Sequence, residues 1–353
     1  MTRNVIIRCF AGLIVMICLP LLARAEPLSI RIEPPSAEKR AAFNTRWDVF
    51  IEGDIDFGAA ERVQQEMAQI GDDGADVYFD SPGGSLMDGM QIGSLLRQMG
   101  STTSVGKHGA RSSGIEPGVC FSACSIAFLG GVYRYVPDGS VFGVHRVSRT
   151  VRSEQDFDAG QIVAAQISSY IRDMGVNSRL FSLMAGIDRN RIYVIDAAEL
   201  HSLRIVNDGK QPAEWSAELS AQGPSLVGTQ KTANGIGKAI FNCDKGRVVL
   251  HSLYQAGGNA AQITSGQWNH SLVVDETALP LDTPDSIEDA DGYLSATFAL
   301  APDQVRRIIG ASSVGHSMQG GRSDPASLGY KIDVDAGAAK KIGGFMASCA
   351  APR

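Results

Sequence analysis

Three polar residues, distant from one another in the chain, have the types needed for nucleophilic catalysis: Ser122, His145 and Asp188. A serine hydroxyl is a weak nucleophile alone. It becomes competent when an adjacent imidazole takes its proton and a carboxylate orients that imidazole. Singly, each residue has a plainer reading. Ser122 stands where a strand hands over to a helix of small residues, a place that also suits a helix cap. His145 closes the apolar run Val141–Val144, where a structural histidine at a sheet edge is common, and Asp188 lies in a turn-like Gly186-Ile187-Asp188-Arg189-Asn190. The combination carries the argument.

The elements that must position these residues alternate between strand and helix. Trp47–Glu52 reads as a strand and Ala59–Ile70 as a helix with Val63, Met67 and Ile70 on one face. Val77–Phe79 is a short buried strand ending at Asp80-Ser81-Pro82-Gly83-Gly84. A helix carrying Leu86, Met90, Leu95 and Met99 follows, then a strand over Thr102–Val105. Lys107–Pro117 is polar and Gly-rich, a mobile loop by composition. After Ser122 come a small-residue helix to about Leu129, strands over Tyr133–Val136 and Val141–His145, a long helix from about Asp158, and a last helix at Ala197–Leu200. This pattern predicts an α/β layer structure with mostly parallel strands.

With those elements placed, the sequence resembles the Clp protease proteolytic subunit, within the wider Clp/crotonase superfamily. Ser81-Pro82-Gly83-Gly84 follows a strand and opens a helix. Gly118-x-Cys120-x-Ser122-Ala123 is similar to the family's Gly-x-Ala-x-Ser nucleophile segment. His145 is reached through Arg134, a proline turn and a strand, as in the family. Ala197-Ala198-Glu199 resembles the family's Ser-Ala-x-Glu-Ala helix, with Asp196 at the Ser position and Asp188 eight residues before it. The resemblance covers roughly residues 46–208. It implies a Clp/crotonase-like spiral of mostly parallel strands and helices, with Ser122 as nucleophile, His145 as base and Asp188 as the group orienting it. It further implies that the backbone N–H groups of Gly83 and Ala123 form the oxyanion hole, that peptides or proteins are the substrates, and that the chain self-associates. No cofactor follows from it. A Ser–Lys pair using Lys107, as in the related signal peptide peptidase type, is the weaker reading, since a lysine base must be buried to work.

The chain's first residues point to export. Arg3 and Arg8 precede an apolar run from Ala11 to Leu22, and Ala23-Arg24-Ala25 is a small-x-small cleavage pattern. Residues 1–25 therefore read as a signal peptide, and the mature chain as periplasmic or secreted. Losing Arg3, Arg8 and Arg24 would move the formal charge from −6 to −9, which argues against a nucleic-acid partner. An exported chain meets no cytosolic ATPase, so no such partner is implied. Cys120, Cys124, Cys243 and Cys349 remain after cleavage, an even number that suits disulfides in an oxidising compartment. Cys120 with Cys124, and Cys243 with Cys349, are the candidate pairs. Their spacing offers no zinc site.

Residues 26–45 read as an extended Pro-rich entry, 46–209 as the Clp/crotonase-like domain, and 210–234 as a linker. Residues 235–353 read as a smaller disulfide-bound domain, β-rich or α+β, that binds something or limits access. Its Trp268 and His270 are expected in the core. Beyond serine hydrolysis, the same fold allows a noncatalytic binding or scaffold protein, or acyl-CoA chemistry of the crotonase kind. The ordered triad with its oxyanion donors favours the hydrolase.

Overall fold

A computed structural model of the chain describes residues 27–41, 44–109, 114–147, 156–220, 223–255, 263–264, 266–284, 287–290, 292–320 and 327–350. The signal-peptide expectation, residues 1–25, lies outside them. The described residues form a mixed α/β structure with two hydrophobic cores, one drawn from residues 49–206 and the other from 215–349.

In the first core a five-stranded sheet runs β1 (Ser29–Glu33), β2 (Trp47–Glu52), β3 (Ala75–Asp80), β4 (Thr102–Val105) and β8 (Tyr133–Tyr135). Strands β2, β3, β4 and β8 are parallel, and β1 pairs antiparallel with β2. β3 alternates, burying Ala75, Val77 and Phe79. Helices α2 (Ala59–Met67), α3 (Leu86–Gln98) and α4 (Ala123–Phe128) supply Val63, Met67, Ile92, Leu96, Ile126 and Phe128 to the same core. The segment expected as an extended entry contains β1 and a short helix α1 (Ala37–Ala41). Lys39 ties it to the sheet, its Nζ lying 2.7 Å from Asp48 and 2.8 Å from Asp76. Burial works against ionising Asp76, yet Arg46 and Lys39 hold its carboxyl below the usual range.

A second, three-stranded sheet carries the candidate residues. It orders β10 (Tyr193–Val194), β9 (Val141–Val144) and β7 (Val119–Phe121), with β7 and β9 parallel. Ser81, just past β3, links the two sheets: its N–H donates to Val119 O and its carbonyl accepts from Phe121 N. Helices α5 (Asp156–Asp173), α6 (Arg179–Gly186) and α7 (Ala197–Ser202) follow. Buried Arg134 gathers this region by donating to the carbonyls of Gly131, Arg204 and Ile205. Burial, and then Arg97 beside it, pull its pKa down to about 10.

Two sequence expectations are corrected here. The segment read as a mobile loop, 107–117, carries a two-stranded ribbon, β5 (Lys107–His108) with β6 (Ile115–Glu116), and Gly109 N–H donates to Gly114 O. Its residues 110–113 lie outside the described set. Two-residue strands are too short to carry a period. The segment read as a linker, 210–234, holds β11 (Glu214–Ser220) and β12 (Gly223–Thr232), paired over their whole lengths. Leu226 and Val227 are adjacent and both buried, so the two-residue alternation that marks a half-buried strand is missing.

These strands open a six-stranded antiparallel sheet, β11-β12-β13-β14-β18-β17, with β13 (Gly235–Asp244), β14 (Arg247–Gln255), β18 (Tyr293–Ala299) and β17 (Ile287–Ala290). A four-stranded antiparallel sheet orders β16 (Thr277–Pro280), β15 (Trp268–Val274), β19 (Ser313–Gly320) and β20 (Ser327–Asp333). Helices α8 (Pro302–Ile308) and α9 (Ala336–Ala350) complete this region, and Cys243 is joined to Cys349 of α9. Its core holds a polar chain. His270 Nδ1 lies 3.0 Å from His316 Nε2, His316 Nδ1 lies 2.8 Å from Ser252 Oγ, and Tyr330 Oη lies 2.9 Å from the same hydroxyl. Burial, with His270 adding to it, drives the His316 pKa down to about 3.

Candidate functional site

The approach to Ser122 begins at the C-terminal end of β3. Asp80 Oδ1 accepts from Val119 N, and Ser81 pairs across to β7. Ser85 then caps α3: its hydroxyl donates to Asp88 Oδ2 at 2.6 Å, while Asp88 Oδ1 accepts from the N–H groups of Gly58 and Ala60. The intervening Gly83 and Gly84 have φ of 107° and 136°. A β-carbon on Gly83 would fall 2.6 Å from Phe121 O, 2.6 Å from Ser122 Cβ and 3.0 Å from Ala123 N. Glycine alone lets this backbone press against the turn that bears Ser122.

That turn is strained. Ser122 has φ 58° and ψ −120°, and although it immediately precedes α4 its side chain caps no N–H group. The helix-cap reading is therefore not the one the backbone adopts, since a capping serine takes a β-region conformation. A non-glycine residue held at such angles costs about 1–3 kcal/mol, and such outliers concentrate at functional sites. The turn is held from several sides. Ser122 N–H donates to Gly143 O at 3.2 Å, and the buried Ser125 hydroxyl lies 2.6 Å from Gly143 O and 3.1 Å from Cys120 O. A disulfide joins Cys120 to Cys124 across it.

The register brings the other two candidates to the same end of the sheet. Phe121 pairs with Gly143, so Ser122 and His145 follow their strands at the same end of the sheet, and Arg146 N–H donates to Ile187 O, next to Asp188. The side chains are arranged differently from a closed triad. His145 Nδ1 lies 3.0 Å from the Arg146 carbonyl, an oxygen that can only accept, so Nδ1–H is the donor of that bond. Asp188 is exposed. One carboxylate oxygen accepts from Asn190 N at 2.9 Å, and the other lies 3.9 Å from the Arg146 guanidinium. Among the described residues no hydrogen bond joins Ser122 to His145 or His145 to Asp188.

The oxyanion candidates also differ from each other. Gly83 N–H donates to the buried Ser81 hydroxyl at 3.1 Å, while Ala123 N–H has no partner among the described residues. Lys107 sits in the β5–β6 ribbon, where it pairs with Glu116. Ser125 and Arg146 are the structural contributors that sequence reasoning did not single out. Nothing in their spacing marks them, because each acts through contacts with residues distant in the chain. Among the described residues no cluster of three His, Cys, Asp or Glu side chains could hold a metal ion, and no helix is long and apolar enough to cross a membrane.

No family model and no curated protein matches this chain. Solved structures similar to it include ClpP1 from Listeria monocytogenes, 19% identical over 48% of this chain and 92% of that one, with a TM-score of 0.35. The ClpP protease catalytic domain from Plasmodium falciparum is 16% identical over 45% of this chain and 81% of that one, with a TM-score of 0.32. A membrane-bound stomatin-specific protease is 16% identical over 44% and 75% of the two chains, also at a TM-score of 0.32.

Proposed function

We propose that this chain is an exported serine hydrolase, acting on peptides or proteins with Ser122 as nucleophile, His145 as general base and Asp188 as its supporting carboxylate. One observation carries the reading. A serine, at a position glycine would occupy more cheaply, is held in a strained turn against the backbone of Gly83.

The chemistry follows from the groups around that turn. His145 Nε2 takes the Ser122 proton as Oγ attacks the substrate carbonyl. The negative oxygen that forms is met by the N–H of Ala123 and by that of Gly83, once Gly83 exchanges its bond to Ser81 for the substrate. The imidazolium is supported at Nδ1 by the Arg146 carbonyl. Asp188 acts by turning from Arg146 toward the ring, a movement its exposure permits, and catalytic hydrogen bonds often tighten only with substrate in place. His145 returns the proton to the leaving amine. The two disulfides support maturation in an oxidising compartment.

A second reading is a noncatalytic binding or scaffold protein. It is favoured by the open arrangement of His145 and Asp188. A fluorophosphonate probe separates the two. The hydrolase takes the label on the folded wild-type chain and loses it completely in Ser122→Ala at unchanged Tm. Folded wild type that stays unlabelled favours the scaffold.

A further inference from the structure

The strained turn at Ser122 is spanned by a disulfide. Cys120 lies within β7 and Cys124 within the first turn of α4, with Cα atoms 5.3 Å apart and both side chains fully buried. Only Phe121, Ser122 and Ala123 lie between them. A strained residue relaxes unless its surroundings over-determine it. Ser122 has no side-chain bond to hold it among the described residues, and the noncovalent ties at this turn include its own N–H to Gly143, Phe121 N–H to Ser81 O and the Ser125 hydroxyl placed between Cys120 O and Gly143 O. The disulfide is the covalent member of that set. It closes the shortest ring that contains the strained residue.

We propose that the Cys120–Cys124 disulfide is a positioning clamp for the nucleophile: it fixes the backbone of Ser122 so that the hydroxyl becomes reactive only after the pair is oxidised. This rests on the serine-hydrolase reading and extends it to how the site matures. The two thiols lose two protons and two electrons to an external disulfide, which leaves as two thiols, and one S–S bond forms in the chain. Both cysteines are buried in the closed form, which slows attack by a reductant in solution. Newly made chain in a reducing compartment would fold around an idle serine. Cys120 and Cys124 are positioning residues, since neither is asked to touch the substrate.

The test uses the mature chain in three forms: wild type, Cys120→Ser/Cys124→Ser, and Cys243→Ser/Cys349→Ser. Fluorophosphonate labelling is followed against pH, with Tm measured alongside. The clamp variant is expected to lose at least tenfold in plateau labelling rate, with the shape of the pH profile unchanged. The second variant is expected to lose Tm but to label at the wild-type rate per folded molecule. That contrast is one a merely structural disulfide would not produce. A clamp variant that labels at the wild-type rate overturns the clamp and leaves the hydrolase standing. A folded, oxidised wild type that takes no label overturns both. Should the clamp variant fail to fold, Cys243→Ser/Cys349→Ser is refolded with dithiothreitol and then given oxidised glutathione. Labelling must rise together with closure of the remaining pair, and labelling that precedes closure contradicts the proposal.

Discussion

The surroundings of His145, in the first half of the molecule, and of the His270–His316 pair, in the second, differ, and so do the two disulfides. In the first, His145 is only half-buried, one ring nitrogen rests on a backbone carbonyl and the other has no hydrogen-bond partner among the described residues. In the second, His270 and His316 are buried face to face and joined to Ser252 and Tyr330 in one chain. With both rings neutral, one offers N–H and the other a lone pair at their 3.0 Å contact. An added proton would set two N–H groups against each other. The disulfides divide similarly. The Cys243–Cys349 bond closes 106 residues, for which chain entropy gives about 4.7 kcal/mol, whereas the Cys120–Cys124 bond closes so short a loop that the same account gives about 2 kcal/mol. Polar groups satisfied on every side make a fold rigid. Groups left strained or half-satisfied are where we propose that reactivity is placed.

Perturbations of each half should separate along that line. The largest effect on stability is expected from Cys243→Ser/Cys349→Ser, a loss of about 4.7 kcal/mol in urea unfolding of the second region. His145→Ala should slow fluorophosphonate labelling by about 10²–10⁴-fold with little change in Tm, whereas replacing His316 should lower Tm and leave labelling alone. Acid should act on the second region first. The folded state holds the His316 pKa at about 3, and the unfolded chain takes up that proton near pH 6.5. Stability is therefore complete above pH 6.5 and falls toward about pH 3, by roughly 1.4 kcal/mol per pH unit for this one group. His270, whose pKa burial also lowers, adds in the same direction. Melting curves of wild type and His316→Gln between pH 7 and pH 4.5 read this out, and equal slopes for the two proteins would remove His316 as the cause.

Asp188→Asn sharpens the contrast within the first half. Because Asp188 is exposed and rests on Arg146, its loss should slow labelling by about ten- to a hundredfold. A carboxylate already bonded to the imidazole would give the roughly 10⁴-fold loss typical of such a triad. The smallest expected effect is on the strain itself. Ser122→Gly should be more stable than Ser122→Ala by about 1 kcal/mol, since glycine accepts the observed φ without penalty. Equal stabilities would mean that the turn stores no strain.

Much of the first half was legible in the sequence. Trp47–Glu52 and Thr102–Val105 are strands at the limits that periodicity gave, and the helix after Gly84 spans Leu86–Gln98. These elements pack one face on a core, so their patterns survive. β1, α6 and β10 were not read, the first because Pro34 and Pro35 dominate its surroundings, the last because two exposed residues carry no pattern. In the second half β13 and β19 were missed for a different reason. Gly235, Gly237, Gly315 and Gly320 stand in their strands, and a β-carbon at Gly237 would strike the Tyr330 ring. Close packing, invisible in composition, makes those strands. At the candidate site, residue types were readable but orientations were not. No spacing could foretell that Arg146 would stand between His145 and Asp188.

A crystal structure of the fluorophosphonate-treated protein tests the central claim most directly. The account predicts phosphorus bonded to Ser122 Oγ, a phosphonyl oxygen within about 3 Å of Ala123 N and Gly83 N, and His145 Nε2 facing the adduct. Phosphorus on another residue, or a Ser122 adduct whose oxygen points away from both N–H groups, would contradict it.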